Sequence, residues 1–254
     1  MDQGVPLGMT GSFEKYEILE IPAIDKIKPS LMNIVSVFPG TALPEKWRAI
    51  PVRQVLATLS TSIIESASNP GLSRILRACH ITQWRHEARF CGSCGAENID
   101  ALAAEKTDAH RRCSKCGRTE YPRICPAVIV LITDDEDRIL LAHNRKFRNR
   151  VYSHISGFNE AGETLEATVE REVREEVNIE VKDITYIKSQ AWPFPNSLMV
   201  GFRAHYSSGT VRPDGAEIED AKWFTRNDLP ELPGEGSLSR FLINRWLAGN
   251  SYET

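Results

Sequence analysis

The sequence predicts an α+β protein in three parts: an N-terminal α+β scaffold over residues 1–88, a short cysteine-rich module over 89–122, and a C-terminal mixed α/β domain over 123–254. Three observations lead to this division. Two Cys-x-x-Cys pairs lie within residues 91–116. Apolar runs at 127–132 and 139–141 have the length and composition of buried strands, and residues 164–177 form a charged segment with helical periodicity.

The composition is that of an ordinary globular protein, with 41% of the 254 residues hydrophobic and 26% charged. A formal net charge of -3 argues against a protein whose main task is to wrap a polyanionic nucleic acid. The first twenty residues lack the basic end, apolar core and cleavage site of a secretory signal. The longest apolar run, residues 127–132, is too short to cross a bilayer. These features predict a cytoplasmic protein without a membrane segment.

The N-terminal scaffold contains one predicted strand and one predicted helix. Residues 31–38 are typical of a strand, which Pro39 and Gly40 end. Asn69 and Pro70 suit a helix start, because Asn caps a helix well and Pro fits the first turn. The residues that follow at helical spacing predict one apolar face: Leu72, Ile75, Leu76, Cys79, Ile81 and Trp84.

The cysteine-rich module contains four candidate metal ligands, Cys91, Cys94, Cys113 and Cys116. Each pair lies in a Cys-x-x-Cys turn, and the spacer of 18 residues is in the range of four-cysteine zinc sites. Four thiolates favour tetrahedral Zn²⁺, and a closed four-ligand shell leaves no open position for catalysis. We therefore expect one structural zinc ion per chain, whose binding supplies the folding energy that so short a segment lacks. The alternative is a redox-active or unconnected pair of dithiols, which lacks its usual βαβ context here.

The charged segment combines a packing stripe with a row of acids. Its apolar residues recur every four positions and predict one buried helix face: Leu165, Val169, Val173 and Val177. The arginines at 171 and 174 can each pair with a glutamate four residues away. By contrast, Glu172, Glu176 and Glu180 are expected to form a like-charged row without a cation at helical spacing. A divalent cation would remove this repulsion, and a solvated acidic face is the alternative that the helix alone leaves open.

Residues 157–179 resemble the Nudix box, G-x5-E-x7-R-E-U-x-E-E-x-G-U with U aliphatic. The matching residues are Gly157, Glu163, Arg171, Glu172, Val173, Glu175, Glu176 and Ile179. Asn178 stands where the box has glycine. Asn tolerates the left-handed conformation of a helix end better than most residues, so we expect a small cost in stability and no effect on the catalytic groups. The resemblance implies that the C-terminal domain is an α/β/α Nudix sandwich with a mixed sheet.

The resemblance to Nudix hydrolases implies a reaction: hydrolysis of a nucleoside diphosphate linked to another group, by water that Mg²⁺ or Mn²⁺ activates. The catalytic candidates that it implies are Glu163 as an auxiliary acid, Arg171 as a positioning partner, Glu175 as a ligand or base, and Glu176. The implied metal ligands are the carboxylates of Glu172, Glu175, Glu176 and Glu217 and the backbone carbonyl of Ser156.

Two other ways of handling phosphate esters are not supported by the sequence. Neither Gly-x4-Gly-Lys-Ser/Thr nor Gly-x-Gly-x-x-Gly occurs, so the phosphates are expected to be held by metal and not by a glycine loop. His154 and Ser156 lie close in sequence but outside a Gly-x-Ser-x-Gly elbow, and their spacing along a strand does not predict a catalytic pair.

A second resemblance narrows the substrate. Residues 189–197 read S-Q-A-W-P-F-P-N-S and are similar to the S-Q-P-W-P-F-P-x-S array of NADH pyrophosphatases within the Nudix superfamily. That family also carries a four-cysteine ribbon followed by Tyr-Pro-x-Ile-x-Pro, which matches residues 121–126, and the resemblance covers about residues 72–247. The array implies a set of substrate contacts: Ser189, Gln190, Ala191, Trp192, Pro193, Phe194, Pro195, Asn196 and Ser197. Rigid aromatic rings there suit stacking on a base, and a hydrophobic plug between strands is the alternative.

The same resemblance implies the remaining partners and roles. Tyr121 and Phe158 are expected to enclose the nicotinamide, and Ser239 to lie near the substrate. The reaction would convert NAD(H) to nicotinamide mononucleotide, reduced or oxidised, and AMP. Removal of the NAD cap from RNA as the main role, and a non-catalytic nucleotide sensor, are the alternatives. A homodimer is expected, in which the ribbon joins two chains and Tyr121 acts across the interface.

Overall fold

The computed structural model describes residues 17–20, 36–37, 48–51, 70–100, 109–147 and 149–249. Contacts within the chain group these residues into two compact units. The first contains the described residues up to 124 together with 192–197, and the second contains 125–191 and the described residues from 198 onward. No helix in this described part of the chain has the length and apolar character needed to span a membrane.

The first unit begins with a small antiparallel sheet and a long helix. Strands β1 (Glu17–Glu20), β2 (Ser36–Val37) and β3 (Arg48–Pro51) pair in the order β2-β1-β3. Helix α1 spans Pro70–Glu87, so it begins at the proline that the sequence predicted. Its buried side chains include Leu76, Cys79 and Trp84, which confirms that part of the predicted face. The predicted strand at 31–38 is seen at Ser36–Val37, and its other residues lie outside the described ones.

The ribbon of the first unit packs on the end of α1. It is an antiparallel sheet of β4 (Asn98–Asp100), β5 (Arg111–Cys113) and β6 (Thr119–Glu120). The last carbonyls of a helix lack partners within the helix. Here the backbone oxygen of Ala88 accepts from Asn98 Nδ2 at 3.0 Å and from Arg111 Nη1 at 3.3 Å. The same Arg111 nitrogen donates to the Arg85 oxygen at 3.0 Å, so the ribbon satisfies the C-terminal end of the helix.

The second unit is built on a six-stranded sheet with the order β10-β11-β7-β8-β12, and β9 pairs with β7. Its strands are β7 (Cys125–Thr133), β8 (Ile139–Asn144), β9 (Ile155–Phe158), β10 (Ile179–Trp192), β11 (Ser197–Gly209) and β12 (Ile218–Phe224). Helix α2 spans Leu165–Val177, as predicted, and helix α3 spans Leu238–Leu247. Strands β9 and β12 were not predicted. Strand β9 is only four residues long and one of them is glycine, and β12 contains three charged residues, so neither has the apolar pattern of a strand.

Two cores on opposite faces of this sheet explain the apolar run of β7. In a strand, successive side chains point to opposite faces. Val128, Val130 and Ile132 accordingly lie in one core with the apolar stripe of α2. Ile129 and Leu131 lie in the other core with apolar residues of α3. A strand buried on both faces has no polar alternation. The expected α/β/α sandwich is therefore confirmed.

Candidate active site

Helix α2 is delimited by its two caps. At the start, Thr164 Oγ1 accepts a hydrogen bond from the Ala167 backbone N–H at 3.1 Å. At the end, Asn178 adopts a left-handed conformation with φ 59° and ψ 39°, and its backbone N–H donates to the Arg174 oxygen. Asn178 thus takes the conformation for which glycine is usually needed, as predicted from the sequence.

Glu176 lies on this helix with its carboxyl group buried at 8% exposure. Its Oε2 atom has no hydrogen-bond partner among the described residues. Burial raises the pKa of Glu176 to about 8, and repulsion by Glu172, Glu217 and Asp214 adds to the effect. A hydrogen bond from the backbone of Ser156 opposes it. A buried acid without a counter-charge is costly, and a divalent cation bound there would relieve the cost.

Arg171 connects the other acids of the helix. Its Nη1 donates to Glu172 Oε1 at 2.8 Å and to Glu175 Oε2 at 3.0 Å. Its Nε and Nη2 form a bidentate pair with Glu163 at 2.6 and 3.0 Å, and Nη2 also donates to the Phe158 backbone oxygen at 2.8 Å. All five N–H donors of the guanidinium are therefore engaged. The expectation that Glu172 lacks a cation is wrong, because the arginine next to it in sequence bends over its carboxylate.

The expected acidic row of three residues is shorter than predicted. Helix α2 ends at Val177, so Glu180 lies in β10 and not one turn further along the helix. There it forms a bidentate pair with Arg174, both contacts at 2.7 Å. This pairing lowers the pKa of Glu180. Of the predicted row, Glu176 alone has a fully buried oxygen without a hydrogen-bond partner among the described residues.

Glu172 fits into a space that only glycine at 157 provides. A Cβ atom on Gly157 would lie 1.9 Å from Glu172 Cδ and 2.0 Å from its Oε1. The carboxylate thus rests directly on the backbone of β9, in the strand that also contains Ser156. Burial raises the pKa of Glu172, while the Arg171 guanidinium acts in the opposite direction. The glycine of the box therefore has a packing reason that the sequence pattern alone did not give.

Glu163 is fixed by several donors at once. Besides Arg171, the Thr168 hydroxyl donates to its Oε2 at 2.9 Å, and the Glu160 backbone N–H donates to the same atom at 3.1 Å. The Arg171 hydrogen bonds, followed by that backbone N–H, lower the pKa of Glu163 to about 2. Glu163 is thus an ionised anchor for Arg171.

Glu217 and Asp214 lie in the connection between β11 and β12. Asp214 accepts hydrogen bonds from the backbone N–H groups of the three residues from 216 to 218, at 2.8 to 3.2 Å. Burial alone would raise the pKa of Asp214, but these hydrogen bonds outweigh it and the pKa is lowered. Glu217 Oε2 forms an ion pair with Lys146 Nζ at 2.7 Å. Asp214 was not found by sequence reasoning, although Pro213-Asp214-Gly215 is a typical turn sequence.

The acids fit a divalent ion in their chemistry. Hard cations such as Mg²⁺ and Mn²⁺ bind carboxylate and carbonyl oxygens. The Glu176 oxygen that lacks a hydrogen-bond partner among the described residues can serve as a ligand for such an ion. Gly157 leaves room for the carboxylate of Glu172, which can serve as another. Among the described residues, however, the carboxylates do not form a group of three or more ligands close enough to hold an ion together. Arg171 and Lys146 instead engage Glu172, Glu175 and Glu217.

The four cysteines of the ribbon form a compact cluster, as predicted. All four ligand atoms lie within 4.8 Å of one another. The Sγ atoms of Cys91 and Cys116 are 3.7 Å apart, and those of Cys94 and Cys113 are 3.4 Å apart. A tetrahedral site with Zn–S bonds of about 2.3 Å places sulfurs about 3.8 Å apart. The backbone N–H groups of Lys115 and Cys116 both donate to Cys113 Sγ at 3.4 Å, which favours the thiolate that binds metal.

Two of the expected substrate residues, Gln190 and Ser239, are buried and form hydrogen bonds with other protein groups. Gln190 donates from Nε2 to the Gly236 oxygen at 2.7 Å and accepts from the Leu238 N–H at 2.9 Å. It thereby caps the start of α3. The Ser239 hydroxyl lies 2.9 Å from His154 Nδ1 and 3.0 Å from the Ser153 hydroxyl. Burial lowers the pKa of His154 to about 3, and its contact is with Ser239 and not with Ser156.

The remaining expected substrate residues differ in exposure. Trp192 ends β10, and the residues from Pro193 to Asn196 form the turn that leads into β11. Within this turn Phe194 is buried, and its ring lies edge-on to Trp192 with centroids 5.2 Å apart. Tyr121 in the first unit and Phe158 in the second are exposed aromatic residues, at 60% and 51%. Ser189 and Ala191 are exposed, and Ser197 is buried.

Comparison with known proteins yields a domain family and a group of relatives. Residues 123–246 match the NUDIX domain model. The chain is 47% identical over 174 residues to the NAD-capped RNA hydrolase NudC of Pseudomonas aeruginosa, covering 68% of this chain and 61% of the relative. It is 46% identical over 181 residues to the protein of that name from Stutzerimonas stutzeri, covering 71% and 64%. The chain therefore spans less than two thirds of these relatives.

A solved structure shares the fold. The crystal structure of a NUDIX hydrolase from Nitrosomonas europaea superposes with a TM-score of 0.53, covering 64% of this chain and 92% of that one. The two sequences are 21% identical, so the likeness concerns the fold alone.

Proposed function

We propose that this chain, whose residues 123–246 match the NUDIX domain model, hydrolyses the pyrophosphate bond of NAD(H) to nicotinamide mononucleotide and AMP. The observation that carries the proposal is the Glu176 carboxylate, which is buried beside Glu172 and has one oxygen without a hydrogen-bond partner in the described part of the chain. The similarity to relatives named NAD-capped RNA hydrolase supports the choice of an NAD pyrophosphate as substrate.

The chain supplies an oxygen-rich metal site for this reaction. The groups that would hold Mg²⁺ or Mn²⁺ are the carboxylates of Glu172, Glu175, Glu176 and Glu217 and the backbone carbonyl of Ser156. When bound, such an ion neutralises pyrophosphate charge and activates water. The Glu217 carboxylate would have to leave Lys146, whose long side chain is exposed enough to move toward a phosphate.

Arg171 and Glu175 have separate tasks in this mechanism. Arg171, anchored by Glu163, holds the carboxylates of Glu172 and Glu175 at fixed positions. Glu175 is the candidate base, because its side chain is 60% exposed and can reach a water molecule. Attack of that water on one phosphorus breaks the bridging P–O bond and leaves two monophosphates.

The substrate residues are proposed to act in two ways. The exposed ring of Phe158 is suited to stack on the nicotinamide, and the exposed ring of Tyr121 is proposed to do so from the other chain of a dimer. Trp192 belongs to the array that would contact the dinucleotide. Gln190 and Ser239 are buried in hydrogen bonds to other protein groups. Their contribution is therefore to shape the site around the start of α3.

Zinc, a homodimer and a cytoplasmic location complete the proposal. The sulfur–sulfur distances of the ribbon suit one structural Zn²⁺ per chain. The described part of the first unit also exposes large apolar side chains: Phe90, Ile99, Tyr121 and Ile124. Such residues are candidates for an interface between two chains. A monomer by light scattering at micromolar concentration would refute the dimer.

One assay tests the function against its alternatives. Purified zinc-loaded protein is incubated with NADH, NAD, ADP-ribose and NAD-capped RNA, with Mg²⁺ or Mn²⁺, and the products are separated by chromatography. We expect nicotinamide mononucleotide and AMP from the dinucleotides. Turnover of capped RNA alone would favour the RNA-cap function, which the names of the relatives support. Binding of a nucleotide without any product would favour a sensor.

A further inference from the structure

The residue that departs from the box, Asn178, lies against the segment that carries Glu217. This segment, residues 209–218, connects β11 to β12. Its backbone contacts the helix at Glu176, whose backbone oxygen accepts from the Asp214 N–H at 3.0 Å. Glu217 and Asp214 lie close enough for their charges to act on the Glu176 carboxyl group. The position of the segment therefore decides how near Glu217 comes to the other proposed ligands.

Four hydrogen bonds join the end of α2 to this segment. Two of them are between backbone groups: Arg212 N–H donates to the Val177 oxygen and Asp214 N–H donates to the Glu176 oxygen, both at 3.0 Å. The third comes from a side chain, because Asn178 Nδ2 donates to the Thr210 oxygen at 3.1 Å. The fourth is longer, and in it Arg212 Nη2 donates to Asn178 Oδ1 at 3.4 Å. The two backbone bonds do not involve residue 178, so a glycine there would leave them in place and remove only the bonds of the Asn178 side chain.

Further contacts of the segment restrict the backbone position of Glu217. Near its start, Gly209 has φ 103°, and a Cβ there would lie 2.8 Å from the Asn178 backbone oxygen, so the chains are in close contact. Further along, Asp214 binds the backbone N–H of Glu217 at 3.1 Å. The Glu217 oxygen in turn accepts from the Arg145 N–H at 3.0 Å. Fixing both ends of this segment restricts where the Glu217 carboxylate can lie.

We propose that Asn178 is a positioning residue that holds the 209–218 segment, and with it Glu217, at the metal site. This inference rests on the proposed function, in which Glu217 is a metal ligand. Asn178 provides the left-handed helix end that glycine would provide, and it adds a tether that glycine cannot. The loss of one such hydrogen bond changes an equilibrium constant by about two- to ten-fold.

The test is the Asn178→Gly variant, which keeps the left-handed conformation without strain and removes only the side chain. The full-length, zinc-loaded protein is titrated with Mn²⁺ alone, and free Mn²⁺ is measured by electron paramagnetic resonance. We expect Mn²⁺ affinity to fall by about two- to ten-fold. Amide hydrogen exchange should become faster in residues 210–218. The matched control is Asp183→Gly, since Asp183 is another exposed residue with positive φ, 57°, and should leave Mn²⁺ affinity unchanged.

Repeating the Mn²⁺ titration in a protein that carries Glu217→Gln shows whether Asn178 affects Mn²⁺ affinity through Glu217. If Asn178 acts through Glu217, then Asn178→Gly should cause no further loss of Mn²⁺ affinity in a protein that already carries Glu217→Gln. An equal loss in both backgrounds, an unchanged affinity in Asn178→Gly, unchanged amide exchange, or the same loss in Asp183→Gly would overturn the inference and leave the proposed function intact. Wild-type protein that binds no Mn²⁺ would overturn both.

Discussion

Replacing Glu176 by glutamine should make the metal-free protein more stable, although it removes a proposed ligand. The physical reason is the burial of the carboxyl group, which raises its pKa from 4.5 to about 8. The folded state therefore holds a proton on Glu176 at a pH where the unfolded chain has released it. Because the folded state binds more protons, wild-type stability must fall as pH rises from about 4.5 to about 8. Glutamine has nearly the same shape and no such titration.

The magnitude follows from the same values. Each pH unit between the two pKa values costs about 1.4 kcal/mol. At neutral pH, about 2.5 units above the unfolded value, the penalty is on the order of 3 kcal/mol, which Glu176→Gln should remove. Bound Mg²⁺ or Mn²⁺ should reverse the order, because the ion stabilises the ionised wild-type carboxylate and binds the variant weakly.

The assay is urea unfolding of both proteins, zinc-loaded and free of Mg²⁺ and Mn²⁺, between about pH 5 and pH 8. Glu170→Gln is the matched control, because Glu170 is an exposed glutamate of the same helix. We expect the free energy of unfolding to fall as the pH rises in the wild type and in the control. In Glu176→Gln this part of the pH dependence should be absent, because the titrating carboxyl group has been removed. Equal stability of the variant and the wild type at neutral pH would refute the reasoning.

Three further predictions concern the groups around Glu176. Gly157→Ala should change the melting temperature little, because the new methyl group displaces only the flexible end of Glu172. It should abolish most Mn²⁺-dependent turnover, and unchanged turnover would refute the packing role. Arg171→Lys should lower the melting temperature by roughly 5 °C and reduce kcat, because an ammonium group cannot replace the guanidinium contacts with Glu163, Glu172 and Glu175. A variant with wild-type values would show that these contacts are dispensable. Cys113→Ser should lose the one equivalent of zinc seen by native mass spectrometry, and full zinc retention would contradict a four-thiolate site.

The parts of the fold that sequence reasoning found are those that local rules determine. The stripe of Leu165, Val169, Val173 and Val177 fixed the position of α2, and Asn178 marked its end. The continuous apolar run of β7 indicated burial on both faces before either core was known. The two Cys-x-x-Cys turns predicted a cluster because their spacing is in the range of sites where four thiolates share one Zn²⁺, and the structure brings the four sulfurs together.

The parts that it missed depend on contacts distant in sequence or on side-chain bending. Glu180 was placed in the acidic row because the helix was counted one turn too far, past the left-handed residue. Neighbouring residues on a helix do not usually face each other, so the contact of Arg171 with Glu172 could not be derived from spacing. The bond between Gln190 and Leu238 joins residues 48 positions apart, and no local pattern predicts it.

The measurement that tests the central claim most directly is a Mn²⁺ titration of the zinc-loaded wild type in the presence of NADH, compared with Glu176→Gln. Saturable Mn²⁺ binding in the wild type, tightened by the dinucleotide and lost in the variant, is the predicted result. A wild-type protein that leaves Mn²⁺ free under the same conditions would contradict a metal-assisted hydrolysis at Glu172 and Glu176.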